Sequence, residues 1–291
     1  MNILLAFVWS PYTTASYYAK AFRALGHDVR TIGPCDTARW AIWPEGRRYR
    51  LTGPHFGGEW GEWRSDVVIW IEAGGDWVPS LGVDGGVPHV AYFIDSHSRL
   101  RRHKDVAPYF THRFCAHRQY AEALGATWLP VACDPDVHTP TVTGEPEYDV
   151  AFVGNTYDVA PMYRCRRRAL SHLSRRYRVH TVKDVYFEDM ANVYAGARVA
   201  FNRSAYGDLN MRVFEAMCSG RPVAADNVEG LGALFTDGEH LSVYESIGYT
   251  VAIDELLKDP EAAATIGQAG RAEVIAHHTY AHRAAQMLAA L

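Results

Sequence analysis

The sequence predicts an α/β protein of two domains, each built on a parallel sheet with helices on both faces. Three observations carry that expectation. Short continuous apolar runs recur, as at Ile3–Val8, Val67–Ile71 and His89–Ile94, and such runs mark strands buried on both sides. They alternate with helical stretches, the order that lays down a parallel sheet. The pattern then restarts beyond residues 134–147, DPDVHTPTVTGEPE, whose prolines and low apolar content read as a linker. A chain of 291 residues is long enough for two cores.

In chain order, Ile3–Val8 is a buried strand, WSPYTTAS a polar loop, and Ala15–Leu25 a helix stopped by Gly26. Val29–Gly33 is a second strand. Residues 34–64 are rich in Trp, Gly and Arg and follow no regular period. Val67–Ile71 and His89–Ile94 continue the sheet, with weaker strands at Arg113–Ala116 and Thr127–Pro130 flanking a helix near 117–124. In the second half, 148–154 is a strand ending in Gly. It is followed by a helix over 160–175, strand 177–182, helix 187–196, strand 198–202, helix 209–219, strand 222–226, a short strand in LSVYE, and helices over 247–257 and 260–291. The expected domains are 1–140 and 141–275, with 276–291 a C-terminal helix able to return to the first. Ligands of open α/β sheets sit at the carboxyl ends of the strands, so the cleft between two such domains is the expected site.

Composition excludes several classes. Net charge is −4 with a pI near 6.4, so there is no overall basic field for nucleic acid. The local runs RLRRHK (99–104) and RCRRR (164–168) read first as solvated faces. Only Lys20, Lys104, Lys183 and Lys258 accompany 25 Arg. The five Cys (Cys35, Cys115, Cys133, Cys165, Cys218) never fall in a C-x-x-C spacing, which fits a reduced, cytoplasmic chain without a zinc site. MNILLAFVWSP lacks a basic n-region and reads as a strand rather than a signal peptide. No segment has the roughly 20 apolar residues needed to span a bilayer. GxGxxG after a first strand, Walker A, G-x-S-x-G and H-E-x-x-H are all missing.

The most informative stretch is GDLNMRVFEAMCSGRPVAAD, residues 207–226. Asp208 or Asn210 is placed to cap a helix, Gly220 and Pro222 stop it, and Val213, Phe214, Met217 and Cys218 form its apolar stripe. Arg212 and Glu215 lie one turn apart near its N-terminus. They read either as a surface ion pair or as a site, with Arg212 and the helix N–H groups binding phosphate and Glu215 accepting from a ribose diol. Gly154 and Asn155 end the first strand of the second half, where Gly lets a ligand approach the backbone or simply makes a turn. Arg164, Arg166, Arg167 and Arg168 follow on the next helix. In the first half, Asp95 and His97 close a strand where site residues are expected. A His there can take a proton near neutral pH. Ser10, Tyr12, Thr13 and Thr14 line the first loop and are either ligand contacts or helix caps.

The pattern N-x-R-x-F-E-A-x-x-x-G-x-P after a strand ending AFN, with DGEHLSVYE further on, resembles the CgeB-like glycosyltransferases. These belong to the broad group-1 (GT4-like) enzymes of the GT-B fold, in which two Rossmann-like domains face each other across a cleft. YFIDSHSR, LPVACDPDVHTP, YDVAFVGN and MANVYAGARVAFN agree, so the likeness covers about residues 88–245. The resemblance implies transfer of a sugar from a UDP- or GDP-sugar to a hydroxyl acceptor, retaining, without cofactor or metal. Glu215 matches the second Glu of the Glu-x7-Glu donor pair and would hold the ribose. The first Glu falls at Gly207, so Asp208, Asn210 or loop N–H groups would take its role. Gly154 and Asn155 would contact the diphosphate or donor sugar, and Arg212 would be catalytic. The acceptor side would include Ser10, Tyr12, Thr13, Asp95 and His97, the last two serving as base if the reaction inverts. Other readings are a hydroxylated DNA base as acceptor, a sugar-nucleotide epimerase or hydrolase, and a non-catalytic sugar-nucleotide-binding module.

Overall fold

The computed structural model describes residues 1–9, 13–33, 62–72, 77–79, 86–142, 144–157 and 160–291. Ser10, Tyr12 and most of the 34–64 stretch lie outside the described residues. The chain divides into two units, Met1–Pro130 with Tyr280–Leu291, and Val131–Thr279.

The first unit contains strands β1 (Asn2–Ala6), β2 (Asp28–Ile32), β3 (Val67–Ile71), β4 (His89–Phe93), β5 (His112–Cys115) and β6 (Thr127–Trp128), and helices α1 (Thr14–Ala24), α2 (Ser96–Val106) and α3 (Arg118–Ala121). All strand pairs are parallel, in the order β2-β1-β3-β4-β5-β6. Every residue of β3 is buried, as its unbroken apolar run requires. Helix α2 was not foreseen. Seven of its 11 residues are Arg, Lys, His or Asp, and only Ser96 and His103 are buried, so no apolar stripe announces it.

The second unit contains α4 (Pro135–His138), β7 (Tyr148–Val153), α5 (Arg164–Leu173), β8 (Val179–Val182), α6 (Phe187–Ala195), β9 (Ala197–Asn202), α7 (Met211–Cys218), β10 (Val223–Asp226), β11 (Ser242–Tyr244), α8 (Tyr249–Lys258) and α9 (Pro260–His277). Its parallel sheet runs β11-β10-β9-β7-β8. The chain then returns to the first unit as α10 (Tyr280–Ala289). In each sheet the strand order reverses beside the first strand, between β1 and β3 and between β7 and β9. Such switch points open a crevice at the carboxyl ends of the strands.

Two expectations are corrected. Residues 134–147 are not simply a linker. Asp134 caps α4 by accepting from Asp136 N at 3.1 Å, and His138 is completely buried within the second unit. The single helix expected over 260–291 is two. It breaks at His278 (φ −131°, ψ 43°), whose carbonyl accepts from Cys133 N at 3.1 Å. The His278 ring packs 5.1 Å from Phe235 and 5.9 Å from Phe214. A non-local bond and an aromatic seat thus end the helix where the chain leaves the unit.

Candidate active site

At the switch point of the second unit, β7 runs directly into Gly154, which takes φ +147°. A side chain there would be strained, and its Cβ would lie 3.1 Å from Arg212 Nη1 and 3.3 Å from Phe152 Cζ. The bare backbone lets Arg212 lie across the end of the strand. Arg212 donates to Asn202 Oδ1 at 3.4 Å, Asn202 Nδ2 donates to Asp226 Oδ1 at 3.3 Å, and Asp226 also accepts from Ser204 N at 3.0 and 2.9 Å. Asn202 ends β9 and Asp226 ends β10, so the chain of bonds ties Arg212 to two strand ends. Burial raises the Asp226 carboxyl above its usual range, opposed by the Ser204 N–H and by Arg203 and Arg212.

Arg166 is the member of the 164–168 run that turns inward, with 2% of its surface exposed. It donates to Arg203 O at 3.0 Å and to Asn155 O at 2.7 Å. Its guanidinium carbon lies 5.2 Å from the centroid of Phe152, a ring that Arg212 shares at 5.9 Å. Burial, and then the like charge of Arg212, pull its pKa down to about 9. Two guanidinium groups are thus held together at an energetic cost that a bound anion would relieve.

The 203–210 loop is wound around Ser204. Its Oγ donates to Asp208 Oδ1 at 2.6 Å and accepts from Asp208 N at 2.9 Å and Tyr206 N at 3.2 Å. Gly207 takes φ +70°. The expected side-chain cap is corrected at Asn210. It occupies the N-cap of α7, but its side chain makes no cap bond. Both amide atoms are buried without a hydrogen-bond partner among the described residues. The N-terminus of α7 therefore presents unsatisfied donors beside two arginines.

Arg212 and Glu215 do not form the i, i+3 ion pair. Arg212 turns to Asn202, and Glu215, 4% exposed, approaches His138, with Nε2 3.6 Å from Oε1. Burial pushes the Glu215 carboxyl up to about 7 against the opposing pull of Arg212. The sequence signal for Arg166 is its place on the stripe 166, 169, 170, 173, all buried on α5; an Arg on an apolar stripe has a reason to be there. His138 was hidden in the segment read as linker.

In the first unit, Asp95 sits at the N-cap of α2 and His97 in its first turn. The His97 ring lies 5.5 Å from His117. Thr13 is a helix cap, its Oγ1 accepting from Ala15 N at 3.1 Å. Glu72, unforeseen, follows β3 at this unit's switch point and is 3% exposed. It accepts from Ile94 N at 2.9 Å and Asp95 N at 2.8 Å and lies 3.1 Å from His103 Nε2. Burial alone would raise its pKa, but His103 and the two N–H groups hold it below the usual value. Its sequence signal is a lone acid directly after the run VVIWI. Arg99, from the other basic run, reaches Glu72 at 3.5 Å.

The profile of the glycosyl transferase-like family matches residues 140–289. Among solved structures, the chain is similar to sucrose-phosphate synthase from Thermosynechococcus elongatus, with 16% identity over 100% of this chain and 98% of that one and a TM-score of 0.69. A glycosyltransferase from Rickettsia africae is 10% identical over 99% and 97% of the chains, with a TM-score of 0.65. Anabaena Alr3699/HepE, solved in complex with UDP-glucose, is 13% identical over 100% of both chains, with a TM-score of 0.62. No curated protein sequence matches the chain. The expected fold class, two parallel-sheet α/β domains of the GT-B kind, is the one these structures share.

Proposed function

The chain belongs to the glycosyl transferase-like family, and from that premise we propose that it transfers a sugar from a nucleotide-diphosphate sugar to a hydroxyl acceptor. The observation that carries this is the pair Arg166 and Arg212, crowded together beside the open N-terminus of α7 and the partnerless amide of Asn210. The arrangement suits a diphosphate. Glu215, one turn further along α7, is the acceptor for the ribose hydroxyls, and the Gly154–Asn155 turn gives the diphosphate close access to the backbone. Asp208 and Gly207 shape the loop beside the donor sugar.

As the glycosidic bond to the donor breaks, negative charge grows on the leaving diphosphate. Arg212, Arg166 and the helix N–H groups stabilise that charge from fixed positions, and on this reading no metal ion is required. Retention is carried over from the group-1 resemblance, with the departing phosphate taking the acceptor's proton. Asp95 and His97, at a strand end of the first unit, belong to the acceptor side. HepE was solved with UDP-glucose, which makes UDP-sugars the first donors to try, with GDP-sugars second.

The test is calorimetric titration with UDP and GDP, followed by product analysis with the UDP- or GDP-sugar that binds. Glu215→Ala is expected to weaken nucleotide binding, and Arg212→Ala to slow turnover by about 100-fold or more while the protein still folds. Wild-type nucleotide affinity in Glu215→Ala removes the donor-site assignment. Sugar release without any acceptor product would instead indicate a hydrolase.

A further inference from the structure

His138 has no counterpart among the residues that the sequence pointed to, yet it is completely buried against the proposed ribose acceptor. Its tautomer follows from its surroundings. Asp134 N donates to Nδ1 at 2.9 Å, so Nδ1 carries the lone pair and the proton of the neutral ring is on Nε2. Nε2–H faces Glu215 Oε1 at 3.6 Å, just outside hydrogen-bonding range. Both side chains are almost wholly buried, where the low local dielectric strengthens the interaction of a dipole with a carboxylate. Among the described residues, Arg212 on the same helix, Tyr194 on α6 and Cys133 in the segment before α4 also interact electrostatically with Glu215. Burial and then Glu215 raise the Tyr194 hydroxyl further from ionisation, and Cys133 is raised too, so neither supplies a positive charge. On its buried side Glu215 meets one oriented imidazole.

We propose that His138 is a positioning residue for donor recognition, its Nε2–H fixing the rotation of the Glu215 carboxylate so that the ribose diol meets correctly aimed oxygens. The inference rests on the reading of Glu215 as the ribose acceptor. The turn Asp134–His138 thereby has two jobs, a structural one through Nδ1 and a recognition one through Nε2, and substitution can separate them. Asn places an amide atom near the Nδ1 position and keeps the first. Gln places an amide donor near the Nε2 position and keeps the second.

The experiment compares UDP with 2′,3′-dideoxy-UDP, and GDP with its dideoxy form, by calorimetry at pH 8 on the full chain. The ratio of their affinities reads recognition of the diol and is insensitive to general loss of folding. Wild type is expected to prefer the ribose form by about tenfold or more, as hydrogen bonds to a charged acceptor imply. His138→Asn should bring the ratio close to one while binding of the dideoxy form stays near wild type, and His138→Gln should restore most of the ratio. A wild-type ratio in His138→Asn, or a ratio rescued by Asn and not by Gln, overturns the inference and leaves His138 as a support of the turn. Glu215→Ala run alongside separates the two readings. If that variant keeps the wild-type ratio, the donor-site reading fails first; if it loses the ratio and His138→Asn does not, only the role of His138 fails.

Discussion

Glu215 sits where the fold penalises its charge: its carboxyl is held at about 7, against an ordinary 4.5, chiefly by burial. The folded state therefore holds this proton more tightly than the unfolded chain does. The stabilisation is full below about pH 4.5 and is lost as pH rises through about 7. Glu215→Gln removes the titration, so it should stabilise the protein at pH 8 by up to the order of 3 kcal/mol and leave stability at pH 4.5 nearly unchanged. Thermal melts of both proteins at the two pH values check this. A group retained at such a cost is understandable if its ionised form is what the donor's hydroxyls bind. The same linkage predicts that UDP binding strengthens as pH rises through 7, and that this component disappears in the Gln variant. Arg166 shows the same trade with the opposite sign of charge, its guanidinium held in a site that disfavours it.

Element by element, the site depends on how closely backbone segments approach. Gly154→Ala would place a methyl group 3.1 Å from Arg212 Nη1 on a residue with φ +147°. The expected result is a loss of about 1–3 kcal/mol in stability together with weakened nucleotide binding, because Arg212 must move. Gly267 on α9 provides the contrast. Its added Cβ would meet Gly220 O at 2.5 Å and Pro222 N at 2.8 Å, at the end of α7 away from the arginines. Gly267→Ala should therefore cost stability through overpacking, again about 1–3 kcal/mol, with UDP affinity near wild type. Denaturant melts paired with calorimetry distinguish the two variants. If both lose affinity equally, the close approach at Gly154 has no special bearing on Arg212.

For the whole molecule, the notable feature is that the chain leaves the first unit at Pro130 and re-enters it at Tyr280. Helix α10 completes the first unit's core: Tyr280 stacks on Tyr17 at 4.9 Å, and Arg283, 2% exposed, donates to Pro130 O at 2.8 Å. Removing residues 280–291 should lower the melting temperature of the first unit, because it uncovers Tyr17 and Tyr18. UDP binding by the second unit should survive. Calorimetric melting with and without UDP reads both effects, and loss of nucleotide binding would show that the donor site needs α10. Among the described residues no helix is long and apolar enough to cross a membrane.

The strands were legible because a strand buried on both faces writes itself locally, as VVIWI does at β3. Helix α7 was legible for a similar reason. Arg212 and Glu215 are one turn apart, and Gly220 and Pro222 stop the helix a few residues later, so spacing alone proposed a site. Spacing could not show that the two residues turn away from each other, Arg212 to Asn202 and Glu215 to His138. Nor could it place Glu72 against Ile94 and Asp95, or show that a Pro-rich segment carries a fully buried His. Local periodicity follows from backbone geometry, which each residue shares with its sequence neighbours. The partner of a buried charge is chosen by packing between distant segments, and only the folded chain contains that information.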